Sequence, residues 1–221
     1  MNRLFQIGFL IFFCNFLMEC NGPVKDNKPV SQIIKAKDKL VGGSCEGCEL
    51  MYIGMPEEIL TEHISIGWTE GNLKLILTGK ILQLDGKTPA KNILIYYWHT
   101  DDKGFYSSDK QTPEKARVHG KLRGWVKSDV NGNYTIKTSR PAAYPSTDIP
   151  QHIHLSIKEP NINEYYTDLY FDDDPSYLKH KKKYGKLDRA GTEILRPLLD
   201  NRIQVAEHNF VLGLNIPNYP N

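Results

Sequence analysis

LKLILTGKILQLDGKTPAKNILIYYW, residues 73–98, is the stretch on which the fold turns. Residues 73–84 and 92–98 are rich in aliphatic and aromatic side chains, and DGKTP (85–89) between them gathers the residue types that reverse a chain. The pattern reads as strand, turn, strand. The same signal repeats outward. Residues 124–127 and 133–138 flank a second turn, DVNG (129–132), and residues 152–158 and 165–171 are the next two strands. Residues 202–212 alternate and are expected to close the sheet set. Short strands joined by Gly, Asp and Asn turns, with no long amphipathic helix, predict an antiparallel β-sandwich with long loops. A short helical insertion is expected over 175–183, and the chain has no internal repeat.

The 221 residues suit one domain, and 40% hydrophobic residues supply one core. A formal net charge of +2 gives no electrostatic case for nucleic acid. The lysines of 179–183, beside the acidic run 172–174, read as a solvated face. At the N-terminus, Arg3 precedes the apolar run 4–18, which is too short to span a bilayer comfortably. Residues 1–20 therefore read as a signal peptide. Cys20 at its end resembles a bacterial lipoprotein cleavage site, although Glu19 stands where a small residue is usual. Export follows either as a lipoprotein, in the periplasm or on the outer membrane, or by plain secretion; a lipid on Cys20 would be the membrane contact. Residues 21–42 are polar and lysine-rich and read as a linker, with the domain over 43–221. Cys45 and Cys48 form a CxxC pair without the βαβ context of a redox motif or two further ligands for zinc, so an oxidising compartment favours a local, structural disulfide.

His152 and His154 lie on a strand, two residues apart, so their side chains share a face with Ile153 opposite. Two imidazoles so placed can chelate one metal; they can equally be two partly exposed histidines. Upstream, RPAAYP (140–145) and Pro150 stiffen a loop that holds Tyr144 near the strand mouth. Tyr106 follows another strand through WHTDDKGF (98–105). Either tyrosine alone reads as packing.

In succession these motifs are specific. The segments 77–106, 122–145, 149–157 and 167–171 resemble, in order, the intradiol ring-cleavage dioxygenases, the family of catechol and protocatechuate 3,4-dioxygenases, and GGSCEGCE (42–49) is similar to a segment of exported relatives. The resemblance implies a ferric site, with Tyr106, Tyr144, His152 and His154 as ligands. Fe(III) is hard and favours anionic oxygen, and a cation deprotonates a phenol whose free pKa is ~10. The resemblance further implies a small aromatic diol and O2 as substrates, ring cleavage between the two hydroxylated carbons, and Tyr144 as the ligand that yields to the diol and takes up a proton. Two positions depart from the family. Ile149 stands where an arginine usually precedes the first histidine by three, and Asp168 aligns with a frequent glutamine. Arg123, in a family-like position, is a candidate for the substrate pocket or for a structural role. The opening 79–98 also reads like a transthyretin-like binding sandwich without catalysis, and a zinc hydrolase on His152 and His154 lacks a third ligand.

Overall fold

The computed structural model describes residues 40–184 and 188–220. The signal-peptide reading of 1–20, the anchor at Cys20 and most of the linker lie outside these residues. The end of that linker does not: Val41 packs on the core, the Gly42 amide donates to the Pro217 carbonyl at 2.7 Å, and Arg189 donates to the Gly42 carbonyl at 3.0 Å. The folded unit therefore begins before residue 43.

Among the described residues the strands form two sheets. In the first, β2 (Lys74–Leu82) pairs antiparallel with β5 (Asn133–Ser139), whose far edge carries β1 (Glu62–Ile64) in parallel. The other edge of β2 takes β10 (Ile203–Glu207) and then β11 (Phe210–Val211), both parallel to it, and β9 (Leu198–Asp200) completes the sheet against β10. The second sheet runs β4 (Arg123–Lys127), β3 (Leu94–Trp98), β6 (His152–Lys158), β7 (Tyr165–Phe171), β8 (Ile194–Leu195). The sandwich is thus mixed rather than wholly antiparallel, since β1–β5, β2–β10, β2–β11 and β7–β8 run parallel. The cause is sheet switching. The chain leaves the first sheet after β2 and again after β5, and a strand that returns by a long connection can lie parallel to its neighbour.

The stretch 202–212 is two strands, broken where the His208 carbonyl presses on Gly79. A Cβ at Gly79 would sit 1.8 Å from that oxygen. Asn209 then caps the break by accepting from the Lys80 amide at 2.8 Å. The insertion over 175–183 is two helical turns, Pro175–Lys179 and Lys181–Tyr184, the first capped by Asp174.

Between the sheets lies one core. Alternation decides its content: Ile153, Leu155 and Ile157 of β6, Ile95 and Tyr97 of β3, and Leu75 and Leu77 of β2 all point inward and are fully buried. Each such side chain contributes roughly 1.5–3 kcal/mol. The opposite face of the second sheet carries a second aromatic layer, Tyr96, Trp98 and Trp125 with Met51 over them. The segment bearing Met51 is pinned by the Cys45–Cys48 disulfide and by the Trp125 indole, which donates to the Met51 carbonyl at 2.7 Å. On this outer face the site is built.

Candidate metal centre

The sheet register places the parts. Trp98 pairs with Arg123 on one side and His154 on the other, and His154 pairs with Asp168, so these four side chains form a row across the sheet. His152 lies one pleat along, opposite Tyr170. Two loops then bring the tyrosines over this row. In the first, Asp101 accepts from the amides of Lys103 and Phe105 and from the Ser107 hydroxyl, a folded turn that delivers Tyr106. The second, residues 140–151, is closed at its base by Arg140. That guanidinium donates to Gln151 at 2.7 Å, forks onto Asp173 at 2.6 and 2.8 Å, and lies over the Phe171 ring. The loops touch at Gly104, whose φ of 85° and contact with the Ala143 carbonyl leave no room for a side chain.

Four donor atoms converge. Tyr144 Oη lies 3.3 Å from His152 Nε2 and 3.2 Å from His154 Nε2, the two Nε2 atoms are 3.0 Å apart, and the Tyr106 and Tyr144 hydroxyls are in hydrogen-bond contact. The far side of each imidazole fixes its tautomer. His152 Nδ1 meets the Pro150 carbonyl at 2.7 Å and His154 Nδ1 meets Asp168 Oδ1 at 2.6 Å, and both partners only accept. In the neutral rings that bind a metal, each Nδ1 therefore carries the proton, and the two Nε2 lone pairs are directed at the shared space. The Tyr144 hydroxyl can donate to only one of them. A cation with bonds of ~2.1 Å at right angles or tetrahedrally would hold its donors roughly 3.0–3.4 Å apart, the spacing of Tyr144 Oη and the two Nε2 atoms, with the Tyr106 hydroxyl beside them as the fourth donor. The donor set fits a small, hard, highly charged cation.

Electrostatics agree with a site that waits for positive charge. Burial, and then each other's proximity, raises the Tyr106 phenol far above its ordinary range; burial also raises Tyr144. Burial and the neighbouring His154 lower His152 to about 4, so it stays neutral. Burial pushes the Asp168 carboxyl up, but the hydrogen bond from His154, with the two neighbouring imidazoles, outweighs it and holds it below the usual carboxylate range. Among the described residues no group of three His, Cys, Asp or Glu side chains is set to hold a metal, which leaves a mixed tyrosine–histidine cluster as the candidate.

Of the remaining sequence candidates, Asp168 lies beside the site as a partner of His154, and together they wall a cavity of about 870 Å³ with Trp98, His119, Tyr166 and the disulfide loop. Arg123 does not reach it. Its guanidinium is held by the Ile53 carbonyl and Tyr96 Oη, lies over the Trp125 ring, and borders a separate cavity of about 400 Å³. It ties the Ile53 segment to the aromatic layer of Tyr96 and Trp125. Ile149 does not line the large cavity either; its amide donates to Thr147 Oγ1 at 3.3 Å.

Sequence reasoning missed His119. It is buried, hydrogen-bonded to Tyr96 Oη at 2.9 Å, and stacked on Trp98 with centroids 4.0 Å apart, while Trp98 stacks on His154 at 5.0 Å. No local pattern marks a lone histidine at the end of a short 3-10 helix, Glu114–His119. It also missed Glu193, buried behind β7, where it accepts from the Thr167 hydroxyl at 3.0 Å and leaves Oε2 without a partner among the described residues. Burial raises Glu193 to about 7, with the Asp168 charge adding and the Thr167 bond opposing. A carboxyl whose folded pKa lies above its ordinary 4.5 binds its proton more tightly in the native state, so stability falls as pH rises from about 4.5 through about 7 and is then flat. Glu193→Gln should be neutral at pH 5 and stabilising at pH 8, by about 1–3 kcal/mol. Thermal melts at the two pH values check it; identical pH responses in parent and variant would contradict this account.

Comparison with known proteins agrees with this geometry. A family model described as "Dioxygenase" matches residues 57–181. The chain is 29% identical over 142 residues to catechol 1,2-dioxygenase of Acinetobacter baylyi, covering 57% of this chain and 45% of that protein. It is 29% identical over 155 residues to the protocatechuate 3,4-dioxygenase beta chain of Burkholderia cepacia, covering 63% and 61%. The chain thus spans less than two thirds of these relatives. The solved structure of hydroxyquinol 1,2-dioxygenase from Pseudomonas putida DLL-E4 shares the fold, with a TM-score of 0.56 at 23% identity over 82% of this chain and 70% of that one. The matched residues 57–181 are more than half of the 221 and contain Tyr106, Tyr144, His152 and His154, and on that ground the chain belongs to the intradiol dioxygenase family.

Proposed function

We propose that this chain is an exported, non-haem ferric dioxygenase that uses O2 to cleave a catechol-type ring between its two hydroxylated carbons. The observation that carries the reading is the convergence of two phenol oxygens and two unprotonated Nε2 atoms inside the span matched by the family. Tyr106, Tyr144, His152 and His154 would hold the iron. Ferric iron, when bound, supplies Lewis acidity and a template for the diol.

The chain's own residues do the rest. Pro150 and Asp168 hold the two imidazoles with their lone pairs inward. Tyr144 would be the group that yields to the diol and accepts its proton at Oη. Trp98, backed by the aromatic layer packed against it, gives the ring an apolar surface. Export is supported by the apolar run 4–18 and by the Cys45–Cys48 disulfide, which suits an oxidising compartment.

The iron-loaded protein should contain one iron per chain, show a broad visible tyrosinate-to-iron band, and consume O2 with catechol to give a ring-opened diacid. A colourless iron-loaded protein that consumes no O2 with any catechol would sink the reading.

A further inference from the structure

The wall of the large cavity carries a sign. Facing the row of Trp98, His154 and Asp168 is the disulfide loop, with Ser44, Cys45 and Glu46. That loop is held in place: Cys45 is joined to Cys48, Gly47 turns the chain with φ 82°, and the Ser156 hydroxyl contacts Cys48 Sγ at 3.2 Å. Glu46 is exposed there and has no hydrogen bond or ion pair among the described residues. Its carboxylate is therefore free to meet a ligand. The second acidic side chain in the wall is Asp168, whose Oδ1 lies 2.6 Å from His154 Nδ1. Tyr166 and Trp98 add two aromatic surfaces.

No lysine or arginine is among the described residues of this wall. The arginines around it are committed elsewhere. Arg140 is forked onto Asp173, Arg123 is held by Ile53 and Tyr96, and Arg189 lies over the Tyr166 ring while donating to the Tyr166 and Gly42 carbonyls. A ring carboxylate entering this cavity would meet the side chains of Glu46 and Asp168 and, among the described residues of its wall, no lysine or arginine. A protonated amine would meet the Glu46 carboxylate in a cavity that also offers the Trp98 and Tyr166 rings, groups that attract ammonium.

We propose that the cavity selects catechols whose substituent is cationic or uncharged, with Glu46 as the group that recognises a protonated amine arm, and that it rejects ring carboxylates. The inference rests on the ring-cleavage reading of the same site. Three probes separate the two: unsubstituted catechol, a catechol with a protonated ethylamine arm, and 3,4-dihydroxybenzoate. Turnover is read as kcat/KM on the iron-loaded full chain. Binding is read independently by titration calorimetry on gallium-loaded protein, which cannot turn over.

The amine-bearing catechol should exceed 3,4-dihydroxybenzoate by about tenfold or more in both readouts, and Glu46→Gln should cut that ratio by about fivefold. Catechol turned over with the carboxylated ring accepted equally well overturns the selectivity and leaves the ring-cleavage reading standing. A ratio unmoved in Glu46→Gln overturns the role of Glu46. Failure of all three probes to bind or react overturns both readings.

Discussion

Replacing His152 and His154 together with alanine should abolish metal binding, taking iron from one per chain to background and O2 uptake down by roughly three orders of magnitude or more, while the fold survives. The loss is large because each Nε2 is a donor already aimed at the common point, and no other described side chain stands ready to replace it. The fold survives because the histidines lie on the outer face of β6, whereas Ile153, Leu155 and Ile157 on the inner face are fully buried in the core. Circular dichroism and a melting curve on the same sample separate loss of site from loss of structure. Asp168→Asn is the graded control. An amide still accepts from His154 Nδ1 but carries no charge, so metal affinity should fall by about 10–100-fold rather than vanish. Iron retained at one per chain in the double variant would place the metal elsewhere.

Trp98→Ala should be the most damaging single substitution outside the sheet-to-sheet core. The ring is 7% exposed and stands between His119 at 4.0 Å and His154 at 5.0 Å, with Tyr96 stacked at 5.2 Å. Truncating a buried large aromatic costs about 3–5 kcal/mol. For a domain of this size that is a fall of roughly 6–20 °C in melting temperature. The site should suffer as well, because His154 loses the surface that fixes its ring plane. Trp98→Phe keeps an aromatic face and should recover most of the stability and metal retention. Equal losses in the two variants would show that stacking is not what the residue supplies.

What the chain discloses in one dimension follows from the range of the interactions involved. β6 and β7 run over the residues that alternation assigns them, and β2 and β3 differ by one or two residues at their ends. The two histidines on one face, the stiff proline loop and the ordered tyrosines are likewise local patterns. Sheet membership is not local, so the parallel pairing of β10 with β2 and the break opposite Gly79 needed the third dimension. The same holds for the site's periphery. Arg123 sits two strands from His154, across Trp98, but its guanidinium turns to the Ile53 carbonyl, 70 residues back in the chain. His119 joins the site through Trp98, and Glu46 through a loop held by a disulfide; neither relation leaves a periodic trace.

The two faces of β6 have a hereditary consequence. Substitutions on the outer face can remodel the chemistry with little effect on the core, and substitutions on the inner face can adjust stability while the imidazoles stay in place. A single inserted or deleted codon between Pro150 and His152 does neither, because it shifts the pleat by one and drives histidines inward as isoleucine and leucine turn to solvent. Within this strand, drift in the identity of residues is permitted, and drift in their number is lethal to fold and site together.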